Sequence, residues 1–400
     1  MKTTAKMKMA AGCLIGLLAF NAAADAPTIR DVAVRQRWPW SRLVDIDYVL
    51  DCDATQRVDV TVSAFDSAES LTLPEDSLSG DRYSVPPGAG RIVWDPSKSG
   101  YTNEVLPSFR VSLTPVPAPL YMIVDLITTQ TVYLSESDLA SGDWGAVQTN
   151  PVAGVESIIW TGVTNNTDYM TSKLVLRRVP AGTYLMGGSK SVILTKDFYA
   201  GIFEVTEAQW GNIMGPPSSL VTPVYSKSYL NIRGSSVGVN WPSSHAVDDN
   251  SFLGELRART GVKGFDLPTD AQWEYLCRAG TTSYYYDGVS TDSTYTAVLS
   301  TLAWWKDNSS NTRHPVGGKL PNAWGLYDTI GNLCEWCLDW YDVTLTGGTD
   351  PVGPPPGTAR VFRGGCYSHI ASQVAIAYRW NVGPTSTANI LSFRVIVNLP

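Results

Sequence analysis

Histidine is nearly absent from this chain. Three occur in 400 residues, at His245, His314 and His369, too few and too scattered to predict a histidine-based transition-metal centre. Charge is also sparse: 17% of residues are Asp, Glu, Lys or Arg, and the formal charge is −7 with no basic run anywhere. Phosphate contacts need clustered cations, so nucleic-acid binding is excluded as a function class. No phosphate-cradling Gly-rich loop with Lys and no His-Glu-x-x-His is present, and no pair of carboxylates stands out for acid–base work. No apolar run reaches the length of a membrane span. Long helical periodicities are scarce as well. What the chain has instead is Trp, Gly and Pro, with 14, 34 and 25 copies, and 44% hydrophobic residues. That composition predicts a loop-rich fold packed around aromatic rings, with most Trp, such as Trp273 and Trp336, in the core.

The first 24 residues are expected to be a cleaved export signal. Lys2, Lys6 and Lys8 precede the apolar stretch Met9–Phe20, and Ala22-Ala23-Ala24 offers a small-residue cleavage site. Cys13 fits a lipidation site poorly, because Ala10 precedes it and most of the apolar run follows it. Cleavage takes the formal charge from −7 to −10, since three lysines and no acid leave. The expected location is secreted, periplasmic or on the cell surface of a bacterium, where disulfides are permitted. Five cysteines remain: Cys52, Cys277, Cys334, Cys337 and Cys366. An odd number leaves at least one thiol free or paired outside the chain.

Residues 25–118 are expected to form a small β-sandwich of immunoglobulin or fibronectin type. The runs Leu43–Leu50, Arg57–Phe65, Arg91–Trp94 and Ser108–Leu113 alternate apolar and polar residues, and turn clusters separate them. Pro115–Pro119 reads as a Pro-rich connector, and 119–172 as a linker or ordered extension with one strand at Tyr121–Ile127. From 173 the texture changes. The apolar strand Leu174–Val179 leads into a Pro-Ala-Gly turn. Thr206 with Gln209, and Thr269 with Gln272, are two capping boxes that start helices. Phe252, Leu253 and Leu256 have helical spacing, with Gly261 as the stop.

Five segments in order carry a resemblance. They are Val179–Gly188, Phe203–Trp210, Leu267–Tyr275, the stretch from His314-Pro315-Val316-Gly317 through Pro321–Asp328 to Gly331–Trp336, and Arg360–Gly365 followed by Ser392-Phe393-Arg394. Together, across about 225 residues, they resemble the formylglycine-generating-enzyme, or sulfatase-modifying-factor, domain family. The resemblance implies an irregular α+β domain of C-type-lectin-like fold over 173–400. It also implies a structural calcium loop, with side chains of Asp328 and Glu335 and carbonyls of Gly331 and Leu333 as ligands. A carboxylate–carbonyl–carboxylate loop can supply the oxygens that calcium needs. A second calcium loop of the oxidase members would fall near Leu302–Trp305, where Ala303 stands in the asparagine position, and it is not predicted.

The oxidase members resemble a copper enzyme in which two cysteines five apart hold Cu(I) and a substrate cysteine is oxidised by O2 to formylglycine. Here the interval from Cys366 to Tyr378 contains one cysteine, and His369 and Val374 stand where such a pair would fall. The cysteine pair that the copper chemistry requires is therefore not present in that interval. Cys334 and Cys366 replace a usual Trp and Ser of the family and border its cleft, so they are the weak catalytic candidates, as a disulfide, two buried thiols or an improvised two-thiolate site. Cys334-x-x-Cys337 suits a soft-metal or redox motif, or two packed thiols.

Two classes of function stay open. One is the oxidase. The other is a secreted binding protein that recognises a protein, peptide or glycan through Tyr367, Ser368, His369, Tyr378, Arg379, Trp380 and Asn381, residue types suited to adaptable contact. The layout of 366–391 is also similar to variable proteins of diversity-generating retroelements.

Overall fold

In the computed structural model, residues 26–399 are described except 39, 55, 102–104, 142–146, 150–157, 235–245 and 355–356. The expected signal over 1–24, with Cys13, and His245 lie outside the described residues. Among the described residues no helix is long and apolar enough to cross a membrane.

The N-terminal unit holds two sheets. One orders its strands Thr28–Gln36, Val44–Asp51, Gly88–Trp94, Leu78–Gly80; the other orders Glu69–Leu71, Val58–Asp66, Phe109–Pro117. Alternation decides what faces inward: Val44, Ile46, Tyr48 and Leu50 are buried in one strand, and Val58 and Val60 in another. These join Ile92 and Trp94 in a single apolar cluster, where Phe109 stacks on Trp94 at 5.0 Å. Gly90 lies opposite Tyr48 in the ladder. A Cβ there would come within 2.5 Å of the Tyr48 ring, so glycine is what lets the ring lie across the sheet. The connector expected from Pro115 begins later. Pro115 and Pro117 continue the last strand, opposite Val60 and Val58. That strand is at the sheet edge, where a missing N–H need not break a ladder bond.

The larger unit is mixed and sheet-rich, with few and short helices. Its main sheet orders Phe265–Asp266, Ile396–Asn398, Phe198–Gly201, Lys173–Val179, Tyr121–Asp125, Thr131–Leu134. Thus part of 119–172 supplies two of its strands, and Met122 pairs with Leu176. Both faces of this sheet are covered. Tyr121, Ile123 and Val175 enter one core cluster, while Met122, Val124, Leu174 and Leu176 enter another. This explains why Leu174–Val179 reads as a continuous apolar run rather than an alternating one. The helices Glu207–Met214 and Asp270–Arg278 begin at the two predicted capping boxes. Phe252–Thr260 ends at Gly261 in the left-handed conformation.

One buried arginine joins the two units. Arg178, in the main sheet, donates to both oxygens of Asp59 in the N-terminal unit at 2.7 and 2.8 Å, and to Asp197 at 2.8 Å. Trp273 and Trp336 are fully buried as expected, whereas Trp38 and Trp40 are exposed.

Candidate functional site

A second four-stranded sheet, ordered Trp380–Val382, Arg360–Arg363, Cys334–Trp340, Leu391–Ser392, carries the site. After Arg363 the chain turns through Gly364 and Gly365, both at positive φ. A Cβ on Gly365 would lie 2.6 Å from a Val374 methyl and 2.7 Å from the Gln373 carbonyl. Only glycine permits this tight reversal, which folds Cys366 back towards Cys334. The His369 amide then donates to the Cys366 carbonyl at 2.9 Å, and the imidazole returns to the same place. The result is a cluster of Cys334, Cys366 and His369, whose ligating atoms all lie within 4.8 Å of one another. Both cysteines are fully buried and free. The scatter of the histidines along the chain therefore does not carry over to space, because one of the three completes a donor group.

The cluster is electrostatically asymmetric. The Cys366 thiol is pushed down to about 4, chiefly by a hydrogen bond from Cys334, against the cost of burial, and further by His369 and by Ser368, whose hydroxyl lies 3.2 Å away. Burial pushes the Cys334 thiol well above its ordinary value, and its neighbour Cys366 adds to the shift. Cys366 is thus the thiolate and Cys334 its donor. Cys337 takes no part. It lies three residues from Cys334 in one strand, so the two side chains face opposite sides, Cys334 in one core cluster and Cys337 in the other. The Cys334-x-x-Cys337 motif is thereby dissolved. Val374, at the second position of the expected copper pair, is fully buried in the core and offers no donor atom. The oxidase arrangement does not fit this chain.

The predicted binding residues divide. His369 stacks on Trp380 at 4.9 Å, Trp380 lies parallel to Phe362 at 6.0 Å, and Tyr378 tilts against Trp380 at 5.1 Å. Tyr378 and Asn381 are exposed, whereas Tyr367, Ser368, His369 and Trp380 are half-buried. The Trp380 indole N–H has no partner. Arg379 is a correction to the expected surface. Its guanidinium is committed to Asp270 at 2.7 Å and to the Asp342 carbonyl at 2.7 Å, and it lies over the Tyr341 ring. It braces the rim from behind rather than presenting a free charge. Two open clefts lie elsewhere: one of about 430 Å³ beside Gly187 and Tyr284, and one of about 670 Å³ on the N-terminal unit beside Trp38.

The expected calcium loop is acidic and closed in. Asp328 Oδ2 accepts from the Gly317 amide at 2.6 Å, while Oδ1 is buried without a partner. Burial pushes this carboxyl up to about 6. Glu335 is already engaged: Arg394 donates to its two oxygens at 2.7 and 3.2 Å, and the Trp273 indole donates at 2.7 Å. Gly331 and Leu333 lie in the same buried loop. Sequence reasoning missed Glu204. It is fully buried, accepts from Asn332 at 2.9 Å and keeps Oε1 without a partner. Burial, then Glu335 and Asp328, push its carboxyl well above the ordinary range. The signal was present, since Glu204 interrupts an otherwise apolar run between Phe203 and Val205. Asp328 Oδ1 and Glu204 Oε1 are thus both buried without partners, whereas Glu335 is spent on Arg394.

The model of the sulfatase-modifying factor enzyme 1-like domain matches residues 164–399. Among curated proteins, the chain is 27% identical over 271 residues to the chaperone protein LppX of Paenibacillus barcinonensis, covering 57% of this chain and 88% of that one. It is 33% identical over 144 residues to the formylglycine-generating enzyme of Streptomyces coelicolor, covering 33% of this chain and 46% of that one. It thus spans about half the length of that enzyme. Among solved structures, Treponema denticola variable protein 1 aligns with a TM-score of 0.47 and 22% identity, over 64% of this chain and 99% of that one.

Proposed function

The chain belongs to the sulfatase-modifying factor enzyme 1-like family, and we propose that within it this protein is an exported binding member rather than a formylglycine generator. The observation that carries this reading is the aromatic run His369–Trp380–Tyr378. It offers ring faces and the exposed Asn381 amide on a rim that Arg379 and Arg363 hold rigidly from behind. Such a rim suits a peptide or a sugar ring: stacking area comes from residues with few rotamers, and polar groups at the edge set orientation. The ligand class is a protein, peptide or glycan.

Two further parts belong to this proposal. The two sheets of 28–117 are taken as an immunoglobulin-like module joined to the larger unit through Arg178. A structural calcium ion is assigned to the Asp328–Glu335 loop, with Asp328 as its best-suited ligand and Glu204 added to the set; hard oxygen donors are what it requires.

The test is array binding by the purified chain, peptides and glycans being probed in parallel with a Trp380→Ala variant. Binding by the native protein that falls at least tenfold in the variant is expected. Equal binding by both would move the site elsewhere. Mass-spectrometric conversion of a sulfatase-type cysteine peptide to formylglycine, with Cu(I) and O2 supplied, would overturn the non-oxidase reading.

A further inference from the structure

We propose that Cys334, Cys366 and His369 form a site for a thiolate-seeking d10 cation, Cu(I) or Zn(II), with His369 at the first position of the oxidase members' cysteine pair and both sulfurs supplied from outside that pair. The inference stands on donor geometry and holds whether or not the aromatic rim binds a ligand.

Three facts place the donors around one point. Their ligating atoms all lie within 4.8 Å of each other. Two thiolate sulfurs ~2.3 Å from a shared cation at a tetrahedral angle stand ~3.8 Å apart, and a sulfur and an imidazole nitrogen slightly less. The cluster therefore needs only small shifts to close on an ion. Second, the donors are unspent. Neither cysteine is in a disulfide, and His369 Nδ1 is buried without a hydrogen-bond partner. Third, the mounting is rigid. Cys334 sits in a central strand, and its amide donates to the Ile390 carbonyl at 2.8 Å. Cys366 follows the obligatory glycine turn, and His369 is held flat against Trp380.

The donor set selects the ion. Two sulfurs and one imidazole favour soft or borderline cations and disfavour calcium and magnesium, which take oxygens. The Arg394 charge is taken up by Glu335.

The experiment uses the full, reduced chain equilibrated in separate arms with Zn(II) and with Cu(I), each against a chelating indicator, with Co(II) as a spectroscopic stand-in for zinc. About one equivalent is expected to bind in at least one arm, and Co(II) is expected to show the thiolate charge-transfer absorption. Which arm gives the tighter binding identifies the ion. His369→Ala and Cys366→Ser should each weaken binding by roughly a hundredfold or more, above the 10–100-fold typical of outer-shell partners. Cys52→Ser and Cys277→Ser should leave it unchanged. His369→Ala is the decisive variant should a buried-cysteine variant fail to fold, because His369 is half-exposed. Binding below a tenth of an equivalent in both arms, a Cys334–Cys366 disulfide re-forming in preference to metal uptake, or undiminished binding by His369→Ala and Cys366→Ser would each overturn the site.

Discussion

Replacing Arg178 by Met should separate the two units energetically. The guanidinium is 5% exposed and faces two carboxylates, Asp59 at 10% and Asp197 at 6%. It makes three short hydrogen bonds to them, and Ser84 lies within 3.1 Å. Methionine fills most of the same volume but removes the charge. Asp59 would keep the Ser84 amide and Asp197 the Ala181 amide, yet two buried anions would face each other without a cation. Breaking a buried pair in this way costs about 3–5 kcal/mol. In a urea titration followed by Trp fluorescence, a loss of that size moves the midpoint by about 1–2 M for a typical slope. The double variant Arg178→Met with Asp59→Asn should recover part of the loss, since one unpaired charge is gone, and the cycle isolates the coupling. Arg30, exposed and paired to Asp51 at the surface, serves as the control, and Arg30→Met should leave the midpoint unmoved. An Arg178→Met variant within about 1 kcal/mol of the native protein would refute the reasoning. The units would then be held by their other contacts, among them Ser84 with Asp197 and Lys263 with Asp76.

Stability should also depend on pH through Asp339. Burial and then the neighbouring Asp270 charge push its carboxyl up to about 6 from 3.8. Between those values the folded state holds a proton that the unfolded state has lost, so the contribution of Asp339 to stability is greatest below about pH 4 and falls as pH rises to 6, by about 3 kcal/mol. The difference between native and Asp339→Asn melts across that window checks it, and a flat difference would count against it. For calcium, EDTA should lower the melting temperature of the native protein and leave Asp328→Ala unaffected; an EDTA-insensitive native melt would remove calcium from the loop. Asn322 receives the amides of Trp324 and Leu326 and donates to the carbonyls of Leu276 and Cys277. Asn322→Ala strands these buried groups and should cost roughly 2–4 kcal/mol in denaturant titrations.

Much of the fold was legible because local chemistry and tertiary packing agree. Thr206 and Thr269 cap helices in the structure by the same side-chain and amide exchange that their spacing implies. The strands of the N-terminal unit follow from alternation because each sheet buries one face there. Where packing departs from that simple case, reading falters. Pro115 and Pro117 look like a connector until the strand is seen to run along a sheet edge. The strands in 119–172 were only half legible, since Thr131–Leu134 is short and buries little beyond Leu134.

The site was legible in its parts and opaque in its assembly. Cys334 and Cys366 could be singled out because each breaks a resemblance, but their proximity depends on the reversal at Gly364-Gly365, whose direction is set by φ signs that no residue pattern states. His369 was placed on the binding face for its ring, and it also supplies the third donor: the Cys366 carbonyl draws its amide back by one turn. Arg379 shows the converse. An arginine in a variable-looking segment reads as recognition chemistry, yet Asp270, more than a hundred residues earlier, claims its charge. Long-range ion pairing is invisible to spacing. Asp270 is itself the first residue of a capped helix, and its carboxylate meets Arg363 and Arg379 together, so the helix start and the rim of the site form one electrostatic unit. A substitution at Asp270 should therefore loosen both, and the aromatic run would lose its support before any of its own rings were touched.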